Sequence, residues 1–193
     1  MTKKKLLLAT LALTTTLPLA ATAAPYMGLN YTHTRTDDIV GNMDFNALAL
    51  KGGYQIIDWF AVEARYGSGR STQTERGIYI ADPGIVIEET YNIKMKDYYG
   101  AYAIFSLPNS TMFKPYLVAG YTEANFKLKT TGSIPGYYPI SFTESDKVNS
   151  PSYGLGLNIN FSEHLTANLE YMRMIDKSYL ELDALSVGLG YRF

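Results

Sequence analysis

The sequence contains no cysteine among its 193 residues. Without cysteine the chain can form no disulfide scaffold, no thiolate-ligated metal site and no lipid anchor attached to a thiol. Positive charge is also scarce, because setting aside the three lysines of residues 1–23 leaves 14 Lys and Arg against 18 Asp and Glu, a net charge of −4. No basic stripe remains to neutralise phosphates, so we do not expect nucleic acid as a partner.

No apolar run is long enough for a transmembrane helix, which needs about 20 residues. The apolar stretch near the start, Leu6 to Leu13, is followed by Thr14 to Thr16 and Pro18. It lies between three lysines at positions 3–5 and the small-residue pattern Ala21-Thr22-Ala23. This pattern predicts a cleaved signal peptide over residues 1–23 and one exported domain over residues 24–193.

Aromatic residues and glycine are abundant, with 17 Tyr, 8 Phe and 16 Gly. Apolar residues recur at every second position and nowhere form a sustained helical stripe, so we predict an all-β domain. Eight strands are expected, at Pro25–Thr36, Met43–Ile56, Trp59–Ser68, Asn92–Leu107, Phe113–Lys129, Val148–Phe161, Leu165–Ile175 and Glu181–Phe193.

The connections between these strands alternate in length. Ile56–Trp59, Leu107–Phe113 and Phe161–His164 are tight, whereas residues 37–42, 69–91, 130–147 and 176–180 are generally longer. Short turns at one end and longer loops at the other are typical of an up-and-down meander that spans a membrane, with both chain ends on the short-turn side.

Each predicted strand has one apolar face and one face of small, polar or charged residues. The polar face collects Lys51, Glu63, Arg65, Glu170 and Arg192. A soluble sandwich or barrel has the same alternation, but its apolar face points to the core and its charged face to water. The alternation alone is therefore compatible with both a soluble domain and a transmembrane barrel. Aromatic residues favour the membrane, because they form two girdles where lipid would meet water. One girdle comprises Tyr26, Trp59, Phe60, Phe105, Phe113, Phe161 and Phe193, and the other Tyr31, Tyr66, Tyr121 and Tyr171.

Several segments resemble the small outer-membrane β-barrels of Gram-negative bacteria, of the OmpA and OmpX type. They are the signal peptide, GGYQIIDWFAVEARYG (52–67), KPYLVAGYT (114–122), YGLGLNINF (153–161) and the closing VGLGYRF (187–193). The resemblance implies an eight-stranded antiparallel transmembrane barrel with short periplasmic turns and longer extracellular loops. It also implies contact with outer-membrane lipids and lipopolysaccharide. No peptidoglycan-binding domain is expected, since the chain ends at Phe193.

The last strand resembles the signal that the barrel assembly machinery reads during insertion. Such signals end in an aromatic residue with apolar residues at every second preceding position. The residues concerned are Val187, Leu189, Tyr191 and Phe193.

An eight-stranded barrel has an interior just wide enough for its own side chains. We therefore expect the five charged residues of the polar face to form an internal ion-pair network, with a narrow ion-conducting pore as the alternative.

A lipid A-modifying enzyme is a second alternative, but it would need an activated nucleophile. The barrel deacylase family pairs a histidine with a serine two positions away, and neither His33 nor His164 has one. His33 could still meet Ser68 or Ser71 across the strands, with Asp37 or Asp38 nearby. A solvated histidine at the barrel rim is the simpler interpretation, so we expect no enzyme activity and no cofactor.

Function is then expected in the two long outward loops. Loop two, residues 69–91, is predicted to be a hairpin around Ala81-Asp82-Pro83-Gly84, and loop three, residues 130–147, displays aromatic residues between two prolines. These loops suggest a non-enzymatic structural or adhesive surface role, unless their apolar residues only pack the two hairpins together. The candidate partner surface comprises Ile78, Tyr79, Ile80, Tyr137, Tyr138 and Phe142.

Overall fold

A computed structural model describes residues 24–38, 41–82, 85–133, 138–178 and 180–193; the predicted signal peptide lies outside them. The described residues form nine strands, and none of them forms a helix with the length and apolarity needed to cross a membrane. The strands are β1 (Ala24–Asp38), β2 (Gly41–Ile57), β3 (Phe60–Gly69), β4 (Gln73–Asp82), β5 (Ile85–Ser106), β6 (Phe113–Ser133), β7 (Ile140–Asn160), β8 (Leu165–Lys177) and β9 (Leu180–Arg192).

Eight of these strands close into an antiparallel ring. Each pairs with its neighbour in the order β1, β2, β3, β5, β6, β7, β8, β9, and β9 returns to β1. The ninth, β4, continues β3 after a break at residues 70–72 and pairs with the start of β5, from Gln73↔Ile93 to Asp82↔Ile85. The predicted eight-stranded barrel and the predicted loop-two hairpin are both confirmed.

Ala24 and Phe193, the first and last described residues, lie with the short turns at one end of the barrel. The turns are residues 58–59, 107–112 and 161–164. Phe193 is joined to β1, because its backbone N–H donates a hydrogen bond to the carbonyl oxygen of Pro25 at 3.1 Å. His164 holds the last turn against the final strand, through an Nδ1 to Arg192 carbonyl contact of 2.8 Å and a stack on the Tyr191 ring. The resemblance to outer-membrane barrels predicts that this end is the periplasmic one.

The wall of the barrel is apolar outside and polar inside. Leu50, Val187 and Leu189 are 56–58% exposed on the outer wall, whereas the interior residues Glu63 and Glu170 are 6% and 2% exposed. A soluble barrel would bury the first set and expose the second, because removing hydrocarbon from water is favourable whereas burying charge is costly. The arrangement is that of a barrel whose outer surface faces lipid, so the soluble alternative is wrong.

The interior is narrow enough that tyrosine rings fill the space left by glycine. A Cβ atom added to Gly67 would come within 2.1 Å of the Tyr98 ring, and one added to Gly156 within 2.3 Å of the Tyr116 ring. Tyr26, which the sequence suggested for the lower girdle, also turns inward, and its hydroxyl donates to Glu63 Oε2 at 2.9 Å. Side chains two residues apart on a strand share a face, so Tyr26 lies on the same interior face as Gly28 and Asn30, whereas Met27 faces lipid.

Strands β5, β6 and β7 are longer than the sequence suggested, at 22, 21 and 21 residues. Crossing the hydrocarbon layer takes about 9–11 residues per strand. The additional residues of these strands lie on the extracellular side, where no strand face has to be apolar. For that reason the alternation of apolar and polar residues ends before the strands do.

Candidate functional site

The charged cluster in the lower half of the lumen is centred on Arg65. Its guanidinium binds Glu63 Oε1 through Nε at 2.5 Å, and Glu170 through Nη1 at 2.5 Å and Nη2 at 2.8 Å. The same guanidinium lies 4.5 Å from the centroid of the Tyr102 ring, and Tyr116 donates its hydroxyl proton to Glu170 Oε2 at 2.9 Å. Three of the five predicted lumen charges are therefore in direct contact, on strands β3 and β8.

The other two predicted members, Lys51 and Arg192, are not ion-paired in the part of the chain that the structure describes. Lys51 is buried, yet no carboxylate oxygen there lies within 4.0 Å of its Nζ atom. Arg192 is exposed at the periplasmic mouth. The tyrosines that complete the cluster, Tyr26, Tyr102 and Tyr116, were not expected, although each occupies an interior position of its strand.

Above this cluster, large apolar side chains pack in the lumen beside the buried hydroxyls of residues such as Thr34 and Ser152. Phe45, Met95, Met174, Ile175 and Leu182 are at most 1% exposed, and the Phe45 ring packs edge-on against Phe126 with centroids 6.0 Å apart. We call these six residues the apolar plug. It separates the polar lower lumen from the extracellular side.

A four-stranded extension rises above the plug, and we call it the projecting sheet. It consists of β4 with Ile85–Met95 of β5, Phe126–Ser133 of β6 and Ile140–Asp146 of β7. Loops two and three are thus joined side by side through the β5–β6 ladder, from Glu88↔Ser133 to Met95↔Phe126. Their hairpins form one surface and do not pack face to face.

The two faces of the projecting sheet differ in what they display. Phe142 pairs with Thr130 and Ile140 with Gly132, positions that continue the lumen-facing side of the barrel wall. We call this side the axial face; Phe142 is 71% and Ile140 63% exposed on it. Ile78, 73% exposed, pairs with Glu88 and so lies on the opposite face, at the other edge of the sheet.

The structure therefore divides the predicted partner surface. Tyr138 is 96% exposed directly before β7, next to Ile140 and Phe142, whereas Ile78 lies on the opposite face from them. Tyr137 lies outside the described residues, as do the side chains of Tyr79 and Ile80. Ile140 was not among the candidates for this surface, although its alternation with Phe142 places both side chains on one face.

Ion pairs ring the outer wall just above the upper tyrosine girdle. Arg173 binds Asp183 and Glu181, each at 2.6 Å, and Lys147 Nζ lies 3.3 Å from Glu123 Oε1. Hydrogen bonds from Tyr99 and then Lys147 hold the pKa of the Glu123 carboxyl below its usual value. These pairs mark where the apolar band ends and water begins.

His33 lies on the outer side of β1 at this level. Its Nδ1 is 2.9 Å from Asn46 Oδ1, and its Nε2 is 3.6 Å from Asp44 Oδ1. Ser71 Oγ accepts a hydrogen bond from the Asn46 backbone instead of binding His33. The imidazole is thus engaged by an amide and an acid, which fits a rim residue.

The residues proposed as the assembly signal share the outer face of β9 and its end. Val187, Leu189, Tyr191 and Phe193 are each 47–61% exposed, and the Tyr191 and Phe193 rings meet edge to face at 5.3 Å. They form a continuous apolar strip that reaches the periplasmic rim. Such a strip is open to lipid, and its role as an assembly signal stays a prediction.

A closed ring of eight antiparallel strands, an apolar outer wall and a packed polar lumen define a transmembrane β-barrel protein. The family model described as outer membrane protein beta-barrel domain matches residues 6–193. The chain belongs to this family, and it is a protein of the Gram-negative outer membrane. No curated protein matches the sequence.

Two solved structures illustrate the similarity of fold. The chain is similar to Ail, the attachment invasion locus protein of Yersinia pestis, which was crystallised in complex with the heparin analogue sucrose octasulfate. The TM-score is 0.56 and the sequence identity is 16%. The match covers 89% of this chain and 99% of the Ail chain. The chain is also similar to Neisserial surface protein A, with a TM-score of 0.53, 16% identity and the same two coverages. Both similarities concern the fold.

Proposed function

We propose that the protein is a non-enzymatic surface protein that attaches to a partner through the axial face and free edge of its projecting sheet. The observation that carries this is the exposure of Tyr138, Ile140 and Phe142 beside one another, well above the lipid-facing wall. Contiguous exposed apolar and aromatic side chains on a soluble surface are typical of a contact site. Here they are held on a hydrogen-bonded sheet.

The edge of β7 supports the same conclusion. Its pairing with β8 begins only at Tyr153, so among the described residues Ile140–Asn149 pair with β6 on one side and with no strand on the other. A long unpaired edge offers N–H and C=O groups to an extended segment of a partner. The apolar side chains on the same strand would then supply specificity.

The charge of the sheet indicates which partner chemistry fits. It carries four basic residues, Arg76, Lys94, Lys127 and Lys129, against six acidic ones, Glu75, Asp82, Glu88, Glu89, Glu144 and Asp146. Ail was crystallised with a sulfated heparin analogue. A net charge of −2 on this sheet disfavours a polyanion and favours a protein partner with exposed apolar side chains.

Transport fits the structure less well than attachment does. The apolar plug packs in the lumen above the Arg65 cluster, and the buried hydroxyls beside it, Thr34 and Ser152, donate to backbone carbonyls of plug residues. A hydrophobic constriction of that kind excludes ions because they cannot be rehydrated inside it.

The test is attachment of bacteria that display the protein to a layer of cultured epithelial cells. Display of the wild type should raise attachment above that of bacteria carrying the empty vector. Ile140→Ser combined with Phe142→Ser should return it to the empty-vector level, while the matched control Ile78→Ser on the opposite face should keep it. Each variant is compared at equal surface level of the folded, heat-modifiable form. Equal attachment by the wild type and the empty vector, or by the double variant and the wild type, would refute the proposal.

A further inference from the structure

The charged residues of the projecting sheet are sorted by face. Directly paired residues of neighbouring strands share a face, so the strand register places four acidic residues on the axial face and all four basic residues on the opposite one. The acidic set is Glu75, Glu89, Glu144 and Asp146, and the basic set is Arg76, Lys94, Lys127 and Lys129. Among the described residues the axial face therefore carries negative charge and no basic side chain.

The free edge of β7 gives this face a strand to which a partner can add. Ile140–Asn149 pair with β6 alone among the described residues. The free edge ends at Ser150, whose Oγ accepts a hydrogen bond from the Asp176 backbone N–H at 3.2 Å. In an antiparallel ladder about half of the N–H and C=O groups of an edge strand point away from its neighbour. An extended segment of another chain can pair with those groups.

Along this edge the axial side chains change from apolar to acidic. Ile140 and Phe142 lie nearer the extracellular tip, and Glu144 and Asp146 lie nearer the barrel. All four are exposed. The residues between them, which face the other way, are Ser141, Thr143 and Ser145. Small hydroxyl side chains accept many neighbours, so this edge selects a partner mainly through its axial face.

The two carboxylates of the edge lack a cation in the described part of the chain. Lys147 follows Asp146 in the sequence, but its Nζ lies 3.3 Å from Glu123 Oε1, and only its backbone N–H donates to Asp146, at 2.8 Å. On β6 the directly paired residues are apolar, Leu128 opposite Glu144 and Phe126 opposite Asp146. A basic side chain placed opposite either carboxylate from the free side would form a favourable cross-strand pair.

We propose that this edge binds an extended cationic segment of a partner protein, added as a strand antiparallel to β7. From its N-terminus the segment has two basic side chains opposite Asp146 and Glu144 and then two apolar ones opposite Phe142 and Ile140, at every second position. Antiparallel pairing is the commoner and slightly more stable kind. This inference rests on the proposed attachment function and specifies the chemistry of its partner.

A second copy of the chain is a poor occupant of the same edge. Antiparallel pairing of β7 with β7 would bring the Glu144 and Asp146 carboxylates of the two copies close together, and like charges across a strand pair are destabilising. The partner is therefore a different protein.

The test is the fluorescence anisotropy of labelled peptides mixed with the refolded mature barrel in an uncharged detergent at low salt, where surface charge pairs are least screened. The peptide Thr-Lys-Thr-Lys-Thr-Val-Thr-Val-Thr should bind more tightly than the same peptide with glutamate in place of lysine. Glu144→Gln combined with Asp146→Asn should weaken binding of the lysine peptide by about two- to thirtyfold, the range expected for two exposed charge pairs. The matched control Glu88→Gln, which removes an exposed acid from the opposite face, should leave it unchanged. Glu144→Lys combined with Asp146→Lys should reverse the preference between the two peptides.

Three results would overturn the cationic segment. They are binding of neither peptide, equal binding of both peptides by the wild type, and an unchanged affinity for the lysine peptide after Glu144→Gln with Asp146→Asn. Binding of dextran sulfate without binding of the lysine peptide would assign the partner to the basic opposite face and would overturn it too. The proposed attachment function is decided separately, because its test changes Ile140 and Phe142 and keeps both carboxylates.

Disulfide exchange tests the register and also detects weak binding. A lysine peptide whose central residue between the two lysines is cysteine, activated as a thiopyridyl disulfide, should join Ser145→Cys faster than Ser141→Cys. Both serines are exposed on the same face of β7, so accessibility alone does not favour one of them. Equal rates at the two positions would contradict the proposed register.

Discussion

Replacing Arg65 with methionine tests the energetic role of the lumen cluster. Arg65 makes three hydrogen bonds of 2.5–2.8 Å to Glu63 and Glu170, which are 6% and 2% exposed. Its removal leaves two buried carboxylates without their hydrogen-bonded ion-pair partner, a change that typically costs about 3–5 kcal/mol. We therefore expect Arg65→Met to raise the unfolded-to-folded ratio by between about a hundredfold and a few thousandfold.

The assay is urea unfolding in lipid vesicles, followed by fluorescence of Trp59, the only tryptophan. Arg35→Met is the matched control, because Arg35 pairs with Asp44 at 3.1 Å while its side chain is 60% exposed. A pair of that exposure contributes below about 1 kcal/mol.

A double variant shows whether the pair itself is responsible. Arg65→Met together with Glu170→Gln should lose less stability than the sum of the single variants, by at least about 0.5–1 kcal/mol, since the second change removes the stranded charge. If Arg65→Met cost no more than Arg35→Met, or if the single effects added, the cluster would not be the interior ion-pair network described above.

Four further outcomes are expected. Gly67→Leu should lose about 1–3 kcal/mol or fail to fold because it meets the Tyr98 ring, whereas Gly52→Leu, with nothing within 4 Å, should refold like the wild type in heat-modifiability gels. Val187→Arg, on the lipid-facing wall, should cost about 2–4 kcal/mol in vesicle unfolding. Planar bilayers should show no stepwise conductance, because the apolar plug closes the lumen. Glu123 has a lowered pKa in the folded barrel. The ionised Glu123 carboxylate stabilises the barrel above the pKa that Glu123 has in the unfolded chain. This stabilisation is lost as pH falls through its pKa in the folded barrel, so Glu123→Gln should weaken the acid dependence of the urea midpoint.

The barrel could be predicted because lipid imposes a period of two on the sequence. Leu185, Val187 and Leu189 alternate with small or polar residues, and they face outward as the alternation requires. The inward turn of Tyr26 could also have been predicted from its step with Gly28 and Asn30. Its position near the short turns favoured the aromatic girdle, whereas its parity with Gly28 and Asn30 indicated the interior.

The projecting sheet was harder to foresee because no lipid constrains its faces. Ile140–Lys147 and Ile85–Tyr91 mix charged, polar and apolar residues, so only the hairpin of loop two stood out. The break at residues 70–72 and the bulge between Met95 and Asp97 also shift the alternation at the barrel rim. Which loop residues share a face depends on strand register, which composition does not encode.

Thiol labelling on intact cells tests most directly that the projecting sheet stands outside the membrane on a lipid-facing barrel. The chain has no native cysteine, so each introduced thiol is the only one. A membrane-impermeant maleimide should label Thr143→Cys on the projecting sheet, label Asp58→Cys only after the outer membrane is permeabilised, and leave Val187→Cys unlabelled in both cases. Labelling of Asp58→Cys on intact cells, or protection of Thr143→Cys, would contradict this account.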